Sequence, residues 1–339
     1  MAMSFYLIIK LGAIGDVAMA SIMAAELRKV KPDARLVWVV GRAARPLLEA
    51  TGIVDEIITA DEDAILHGSL PQKIRAVWSV LRKLGRRKFD LCLIPYRDWR
   101  YHILRIGVRC KEVRSFRHGR WLIPGRYHGF EYSRLALGKD SDPDAPIALP
   151  PVQSAPCITE EMPAILLAPG SPSPLATDRM RQWPLDFYVQ LAKMLSESGR
   201  TVGIVGIDKT GKLAEAFNNL PVVSFVNRTT LPELLHVLKQ AQLLVTHDTG
   251  TMHLMGMCGG ACVALFGPTL ASEKLFPASK NLALQSSVFL PCMPCYDGKE
   301  YAECSYLLCM HNITPQQVFL AVCNHMEKLS HPDNAGEES

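Results

Sequence analysis

The chain has 339 residues, 48% of them hydrophobic and 21% charged, which is the composition of a globular protein long enough for two domains. The formal net charge of +4 is too small to indicate nucleic-acid binding by itself. No apolar run is long enough to span a bilayer, and the apolar start is interrupted by Lys10, so we expect a first strand, no signal peptide and a cytoplasmic protein.

The first part of the chain alternates short apolar runs with segments of helical periodicity. The predicted strands are residues 5–9, 35–40, 54–59 and 91–94, and the predicted helices are 16–29, 43–50 and 73–84. Strands that alternate with helices predict a mostly parallel, doubly wound sheet. Residues 1–140 are therefore predicted to form an N-terminal domain.

Residues 141–163 are rich in proline and lack periodicity, so they are predicted to be a linker. The alternation then restarts over 164–313, with strands predicted at 164–167, 201–205, 222–225, 241–245 and 261–266 and helices at 185–198, 231–240 and 252–257. A last helix and a tail are predicted over 314–339. Two similar α/β halves indicate two Rossmann-like domains that face a cleft.

The segment Asp248-Thr249-Gly250 with His253 joins a predicted strand to a predicted helix. Ligands of such sheets bind beyond the carboxyl ends of the strands. Thr249 and Gly250 would present backbone N–H groups at the helix N-terminus, where the helix dipole favours an anion. Two hypotheses remain open here: phosphate binding, or simple helix capping by Asp248 and Thr249.

A second glycine turn, Gly12-Ala13-Ile14-Gly15-Asp16, follows the first predicted strand. It lacks the third glycine of a dinucleotide fingerprint and the Gly-Lys-Ser/Thr of a P-loop. Asp16 would therefore either cap the following helix or direct a carboxylate into the cleft. In the second case it could deprotonate a hydroxyl group.

Several segments, taken in order, resemble glycosyltransferase family 9, the ADP-heptose:lipopolysaccharide heptosyltransferases. They are 10–17 (KLGAIGDV), 128–138, 168–171 (APGS), 181–184 (RQWP), 248–253 (DTGTMH) and 266–269 (FGPT). The resemblance spans nearly the whole chain. It implies a GT-B fold, with the acceptor bound by the first Rossmann-like domain and the nucleotide sugar by the second, and an inverting transfer that requires no metal.

The resemblance also implies roles for single residues. Asp16 is the expected general base, which would take the proton of the acceptor hydroxyl. The expected ligands of the nucleotide sugar lie in the second domain, and they are Ser171, Arg181, Asp208, Asp248, Thr249, Gly250 and His253. Arg181 would contact the diphosphate. Asp208 is the candidate for contact with the ribose, although its register differs from that typical of the family.

Basic residues dominate from 97 to 126, interleaved with aromatic ones. They are Arg97, Arg100, Arg105, Arg109, Lys111, Arg114, Arg117, Arg120 and Arg126, opposed within the segment by Asp98 and Glu112. A solvated basic face is one interpretation. The family resemblance favours a docking surface for an anionic lipopolysaccharide acceptor and peripheral contact with the inner membrane. Nothing else in the sequence indicates nucleic acid.

Four of the ten cysteines lie close together in the chain, at Cys292, Cys295, Cys304 and Cys309. Their spacing suggests two hypotheses, a structural zinc or iron site or a set of reduced thiols. Four protein ligands would leave no open position, so a metal there would be structural.

The function predicted from the sequence is transfer of a heptose from ADP-heptose to the inner core of lipopolysaccharide. Transfer to a protein acceptor is the alternative suggested by the cysteines. An NAD-dependent oxidoreductase is the alternative from another class, and the missing third glycine disfavours it.

Overall fold

The computed structural model describes residues 3–116, 123–138, 140–142, 144–153, 155, 162–170, 179–297 and 300–331. The chain divides into two compact units, Met1–Gln153 and Ser154–Ser339. Their boundary lies inside the segment 141–163, the predicted linker. No helix of the described ranges is long and apolar enough to cross a membrane.

Unit 1 is built on a five-stranded parallel sheet with the strand order β3-β2-β1-β4-β5. The strands are β1 (Phe5–Ile9), β2 (Arg35–Gly41), β3 (Glu56–Ala60), β4 (Lys88–Ile94) and β5 (Arg109–Ser115). Apart from Phe5 and Tyr6 at the start of β1, the apolar side chains of β1, β2 and β4 are buried, as expected for central strands covered on both faces. The chain reverses its direction of travel through the sheet between β1 and β4, which places a binding crevice beyond their carboxyl ends.

The helices of unit 1 are α1 (Ile14–Val30), α2 (Arg45–Thr51), α3 (Glu62–Leu66), α4 (Leu70–Leu84), α5 (Arg100–Ile103) and α6 (His128–Leu137), with a short 3-10 turn at Arg42–Ala44. Local sequence signals explain the bounds of α4. Ser69 and Gln72 form a capping box at its start, and Gly85 ends it.

Unit 2 has a six-stranded parallel sheet with the order β11-β10-β9-β6-β7-β8. The strands are β6 (Ile165–Ala168), β7 (Val202–Ile204), β8 (Val222–Ser224), β9 (Leu243–His247), β10 (Cys262–Leu265) and β11 (Asn281–Leu284). Strands β6 and β9 are neighbours although β7 and β8 lie between them in sequence. The crevice of unit 2 therefore lies beyond the carboxyl ends of β6 and β9.

The helices of unit 2 are α7 (Leu185–Glu197), α8 (Lys212–Ala216), α9 (Leu231–Gln240), α10 (Gly250–Met257), α11 (Ala271–Lys274), α12 (Leu308–His311) and α13 (Pro315–Ser330). Val318 and Val322 of α13 are buried in the core of unit 2. The last helix, predicted as a segment apart, is thus a structural part of this unit. The two parallel sheets confirm the predicted fold class of two Rossmann-like α/β halves.

Candidate functional site

Asp16 lies in the first turn of α1, at the crevice of unit 1. Its carboxylate oxygen Oδ2 is 2.7 Å from the ammonium nitrogen of Lys10, whose side chain is 1% exposed, whereas the Asp16 side chain is 42% exposed. The residue that caps α1 is Ala13, and it makes no side-chain capping bond. Asp16 is thus not the N-cap residue, and its partly exposed carboxylate can be reached by a hydroxyl group from solvent.

Glu62, which no sequence motif indicated, supplies a second carboxylate beside Lys10. A Cβ atom on Gly12 would lie 2.5 Å from Glu62 Oε2, and one on Gly41 would lie 2.7 Å from the same oxygen. A side chain at Gly12 would displace the Glu62 carboxylate, and one at Gly41 would also lie 2.9 Å from the backbone oxygen of Leu11. Burial raises the pKa of Glu62 above its ordinary value, and the Lys10 charge and a hydrogen bond with Tyr101 only partly offset it.

Aromatic rings cover the Lys10 side of this group. The Lys10 ammonium nitrogen lies 4.3 Å from the centre of the Tyr96 ring. The Tyr96 and Tyr101 rings are 4.5 Å apart and tilted. The ring face stabilises the cation while excluding water from it. The arrangement couples one buried cation to two carboxyl groups, of which Asp16 is 42% exposed and Glu62 is partly buried.

The predicted residues of unit 2 converge on Asp248, just after β9. Arg181 Nη1 donates a hydrogen bond of 3.0 Å to the Asp248 carbonyl oxygen and lies 3.6 Å from its carboxylate oxygen Oδ2. The Thr269 hydroxyl donates to the same Oδ2 at 2.9 Å, and His253 Nε2 lies 3.7 Å from Oδ1. The structure therefore brings Arg181, Asp248 and His253 together.

Asp248 is ionised in this site. Its burial alone would raise the pKa, but the charges of Arg181, His253 and Lys274, together with the Thr269 hydroxyl, hold the pKa of the carboxyl below its ordinary value. Lys274 and Thr269 belong to the site and were not assigned a role from the sequence. Lys274 is 26 positions from Asp248 in the chain, and only the fold brings its charge near.

Thr249 is the N-cap of α10. Its hydroxyl accepts a hydrogen bond of 3.4 Å from the Met252 N–H and lies 3.1 Å from the Thr246 hydroxyl. The capping hypothesis is thus right for Thr249, while the Asp248 side chain turns to Thr269 and Arg181. Gly250 is the first residue of α10, and the first N–H groups of a helix have no carbonyl partner within it. Capping and anion binding are therefore compatible at this terminus.

The turn after β6 forms the neighbouring edge of the crevice. Gly170 has a φ of +79° and lies against the His247 ring, so a side chain there would be strained. The His247 ring is fixed from behind by Tyr188, whose hydroxyl is 3.1 Å from Nδ1. Ser171, a predicted ligand in this turn, lies outside the described residues.

A cavity of about 360 Å³ opens beside this turn, a volume within the range typical of ligand pockets. Apolar and cationic side chains both contribute to its wall. Its lining residues are Pro169, Gly170, Arg179, Gln182, Trp183, Pro184, Leu185, Lys212, Leu213, Leu307 and His311. Such a wall suits a ligand that combines a flat apolar part with negative charge.

Asp208 has local partners for both of its carboxylate oxygens. One oxygen accepts from the Thr210 N–H at 2.8 Å and from the Thr210 hydroxyl at 2.7 Å, and the other accepts from the Leu213 N–H at 2.6 Å. The Thr210 hydroxyl and these N–H groups lower the pKa of Asp208. The carboxylate thus organises the start of α8, and its contact with a ribose stays a prediction.

The basic segment is more neutralised than its sequence suggested. Acidic residues from other segments pair with it: Asp90 with Lys111, and Glu131 and Asp144 with Arg126. Arg100 and Arg114 form ion pairs with Asp98 and Glu112 of the segment itself. Of its basic residues within the described ranges, Arg97 and Arg109 are exposed and have no ion pair assigned to them. Arg117 and Arg120 lie outside the described residues.

The four cysteines of the candidate metal site lie near one another in unit 2. Cys292 and Cys304 are exposed, whereas Cys309 is buried. Burial, together with the nearby thiols of Cys295, Cys304 and Cys292, raises the pKa of the Cys309 thiol to about 11. Among the described residues, no group of three or more His, Cys, Asp or Glu side chains is placed to hold a metal ion. A metal would displace the thiol protons on binding, so a structural zinc or iron site here stays a prediction.

Comparisons with known proteins agree on one family. Residues 138–305 match the model of glycosyltransferase family 9 (heptosyltransferase), a range that includes Arg181 and Asp248 and excludes Asp16. Lipooligosaccharide heptosyltransferase 2 of Haemophilus influenzae is 24% identical over 290 residues, which cover 76% of this chain and 81% of that protein.

Two solved structures share the fold over nearly the whole chain. A glycosyl transferase family 9 structure from Veillonella parvula has a TM-score of 0.74 at 15% identity, covering 96% of this chain and 97% of that one. The ADP-heptose lps heptosyltransferase II of E. coli has a TM-score of 0.71 at 19% identity, covering 97% of this chain and all of that one (100%). The TM-scores show a shared fold, and at these low sequence identities they show the fold alone.

Proposed function

Because this chain belongs to glycosyltransferase family 9, we propose that it transfers a heptose from ADP-heptose to the inner core of lipopolysaccharide, with inversion at the anomeric carbon. The observation that carries the proposal is the cationic crevice of unit 2. There Arg181 is oriented by Asp248 beside the N-terminus of α10. A guanidinium group beside the first N–H groups of a helix is a combination that suits a diphosphate.

The diphosphate of the donor would lie between Arg181 and the first N–H groups of α10. These groups are fixed before the reaction, so they stabilise the charge that develops on the leaving ADP without reorganisation. Lys274, whose charge also acts on Asp248, adds a second positive charge to the same region. The cavity beside Gly170 supplies room for another part of the nucleotide sugar.

Asp16 would act as the general base of the transfer. A single displacement needs one group that accepts the proton of the acceptor hydroxyl as its oxygen attacks. Asp16 is accessible and is paired with Lys10 at 2.7 Å, which favours its ionised, proton-accepting form. No metal has a part in this account.

The acceptor is proposed to be the anionic, lipid-linked core, reached at the cytoplasmic side of the inner membrane. The exposed side chains Arg97 and Arg109 are candidates for contact with its carboxylates or phosphates. Transfer to a protein acceptor is the less favoured alternative, because the relative from Haemophilus influenzae is a lipooligosaccharide heptosyltransferase. An oxidoreductase is disfavoured because the relatives are glycosyltransferases.

Titration calorimetry with ADP tests the donor site. Arg181→Gln is expected to weaken ADP binding by about 10- to 100-fold, the effect of losing a charged hydrogen-bond donor to phosphate. The matched control is Arg228→Gln, an exposed arginine of the same unit that donates to the Ser224 carbonyl and should bind ADP normally. Unchanged affinity of Arg181→Gln would contradict the assignment, as would tighter binding of UDP than of ADP by the wild-type protein.

A further inference from the structure

Helix α4 has a core face and an opposite face of unusual composition. The core face consists of Ala76, Val80 and Leu84, which are buried at intervals of four residues. Ile74 and Trp78 precede Ala76 and Val80 by two positions, which is about 200° around a helix. They therefore point away from the core, and they are 60% and 58% exposed.

The outward face would be polar if it met only water. Instead it carries Ile74, Trp78 and, at the first turn, Leu70, which is 70% exposed. The three are spaced four residues apart, so their side chains form one continuous stripe on the helix surface. Isolated exposed apolar residues are ordinary, but an aligned stripe of large ones indicates a binding surface.

Positive charge surrounds this stripe. Between Leu70 and Phe89 there is no Asp or Glu, and the basic residues there are Lys73, Arg75, Arg82, Lys83, Arg86, Arg87 and Lys88. The Arg82 guanidinium lies 5.2 Å from the centre of the Trp78 ring. Of the seven, Arg87 is paired with Glu56. A tryptophan and an aliphatic stripe flanked by arginine and lysine is the composition of helices that lie in a membrane interface.

We propose that the outward face of α4, defined by Leu70, Ile74, Trp78 and the flanking Arg75 and Arg82, binds the surface of an anionic lipid bilayer. The apolar side chains would enter the boundary between headgroups and acyl chains, while the guanidinium groups remain at the level of the lipid phosphates. A second copy of the chain fits this face poorly, because a symmetric contact would bring two uniformly positive helices together.

The proposal deepens the proposed function, on which it rests for the lipid-linked acceptor. A protein held at the bilayer by α4 would meet that acceptor by diffusion in two dimensions. The surface lies in the same unit as Asp16, which is expected to receive the acceptor hydroxyl. Binding to bilayers is nevertheless measurable without any sugar substrate, so the two proposals can fail separately.

Cosedimentation with vesicles of phosphatidylglycerol and phosphatidylcholine tests the surface. The wild-type protein is expected to bind these vesicles, to bind pure phosphatidylcholine weakly, and to be released by added salt. The double variant Ile74→Gln/Trp78→Gln is expected to lower the partition coefficient into vesicles by at least about tenfold, since the two apolar side chains that would be buried in the bilayer are lost. The matched control is Leu320→Gln on α13, a leucine that is 50% exposed and lies outside the proposed surface, and it should bind as the wild type does.

Trp78 also gives a local signal. Its emission should shift to shorter wavelength when vesicles are added, and Trp78→Phe should abolish that part of the shift while the protein still binds. Equal vesicle binding by the wild type and the double variant would overturn the proposal. The proposal would also be overturned if the wild-type protein were a dimer that did not bind vesicles and the double variant were a monomer. The double variant should still transfer the sugar to a lipid-free soluble acceptor. If the wild-type protein itself showed no such transfer, the proposed function would be refuted instead.

Discussion

Lys10 is an ammonium group in an almost fully buried position, which is costly unless the charge is compensated. Its compensation comes from Asp16 at 2.7 Å, from the nearby charge of Glu62 and from the ring of Tyr96. A buried apolar residue would fill the same space at lower cost. We infer that the charge is kept for its effect on Asp16.

Replacing Lys10 by methionine tests that effect, because Met has a similar length and no charge. The kcat/KM of transfer should fall by about tenfold or more, since Asp16 loses the 2.7 Å ion pair that holds its carboxylate. ADP affinity should not change, because the proposed nucleotide site lies in unit 2. That affinity serves as the control for unit 2, and an unchanged kcat/KM would contradict the role of Lys10.

Asp248 provides a prediction about stability and pH. Its pKa is lowered in the folded protein, so its stabilising contribution is present above the unfolded value of about 3.9 and is lost as the pH falls through the folded value. Asp248→Asn should lower the free energy of unfolding by about 1–3 kcal/mol at neutral pH. The difference from the wild type should shrink below about pH 4, as measured by thermal unfolding at several pH values. A difference that is independent of pH would contradict the account.

Some site residues could be predicted from sequence and others could not, for a physical reason. Asp16, Arg181, Asp248 and Thr249 lie within short motifs, whose local order reflects the turn that they form. Glu62 lies 46 positions after Asp16, in a segment without a motif. The fold brings the Glu62 carboxylate against the glycine turn at Gly12 and so towards Lys10. Such proximity between distant segments leaves no pattern in the sequence.

Among the elements, helix α10 begins at a side-chain cap that can be tested. Thr249 accepts from the Met252 N–H, and Thr246 in turn anchors the Thr249 hydroxyl. Thr249→Ala should lower the free energy of unfolding by about 1 kcal/mol, the usual effect of losing an N-cap. Thr249→Ser should retain most of that stability, because serine preserves the hydroxyl. Urea unfolding of the wild type, Thr249→Ala and Thr249→Ser measures these free energies. Equal losses of stability in the two variants would exclude capping as the cause.

Strands differ in how far the sequence predicts them. β1 was predicted at residues 5–9, as observed, because it is an unbroken apolar run, whose last three residues are buried. β5 was missed, since its sequence RCKEVRS is mostly polar and its side chains are largely exposed. It is a strand because β4 supplies hydrogen-bonding partners from Lys88 to Ile94, an edge pairing that no local propensity reveals.

At the scale of the whole molecule, the two units divide the chemistry. Unit 1 carries the carboxylate that would accept the proton, and unit 2 carries the cations and the helix N-terminus that would receive the diphosphate. Both groups lie at the topological switch points of parallel sheets, as expected for ligand sites of this fold class. Each half can therefore be altered without removing the site of the other.

The central claim is tested most directly by measuring ADP release from ADP-heptose, with and without a heptose-free core acceptor, for the wild type and Asp16→Asn. The account predicts release that depends on the acceptor in the wild type. In Asp16→Asn the rate should fall by at least about 100-fold, the contribution of a general base, while ADP affinity is unchanged. Wild-type rates in Asp16→Asn would contradict the assignment of the base. Acceptor-independent release, or none, by a wild-type protein that binds ADP would contradict the proposed transfer.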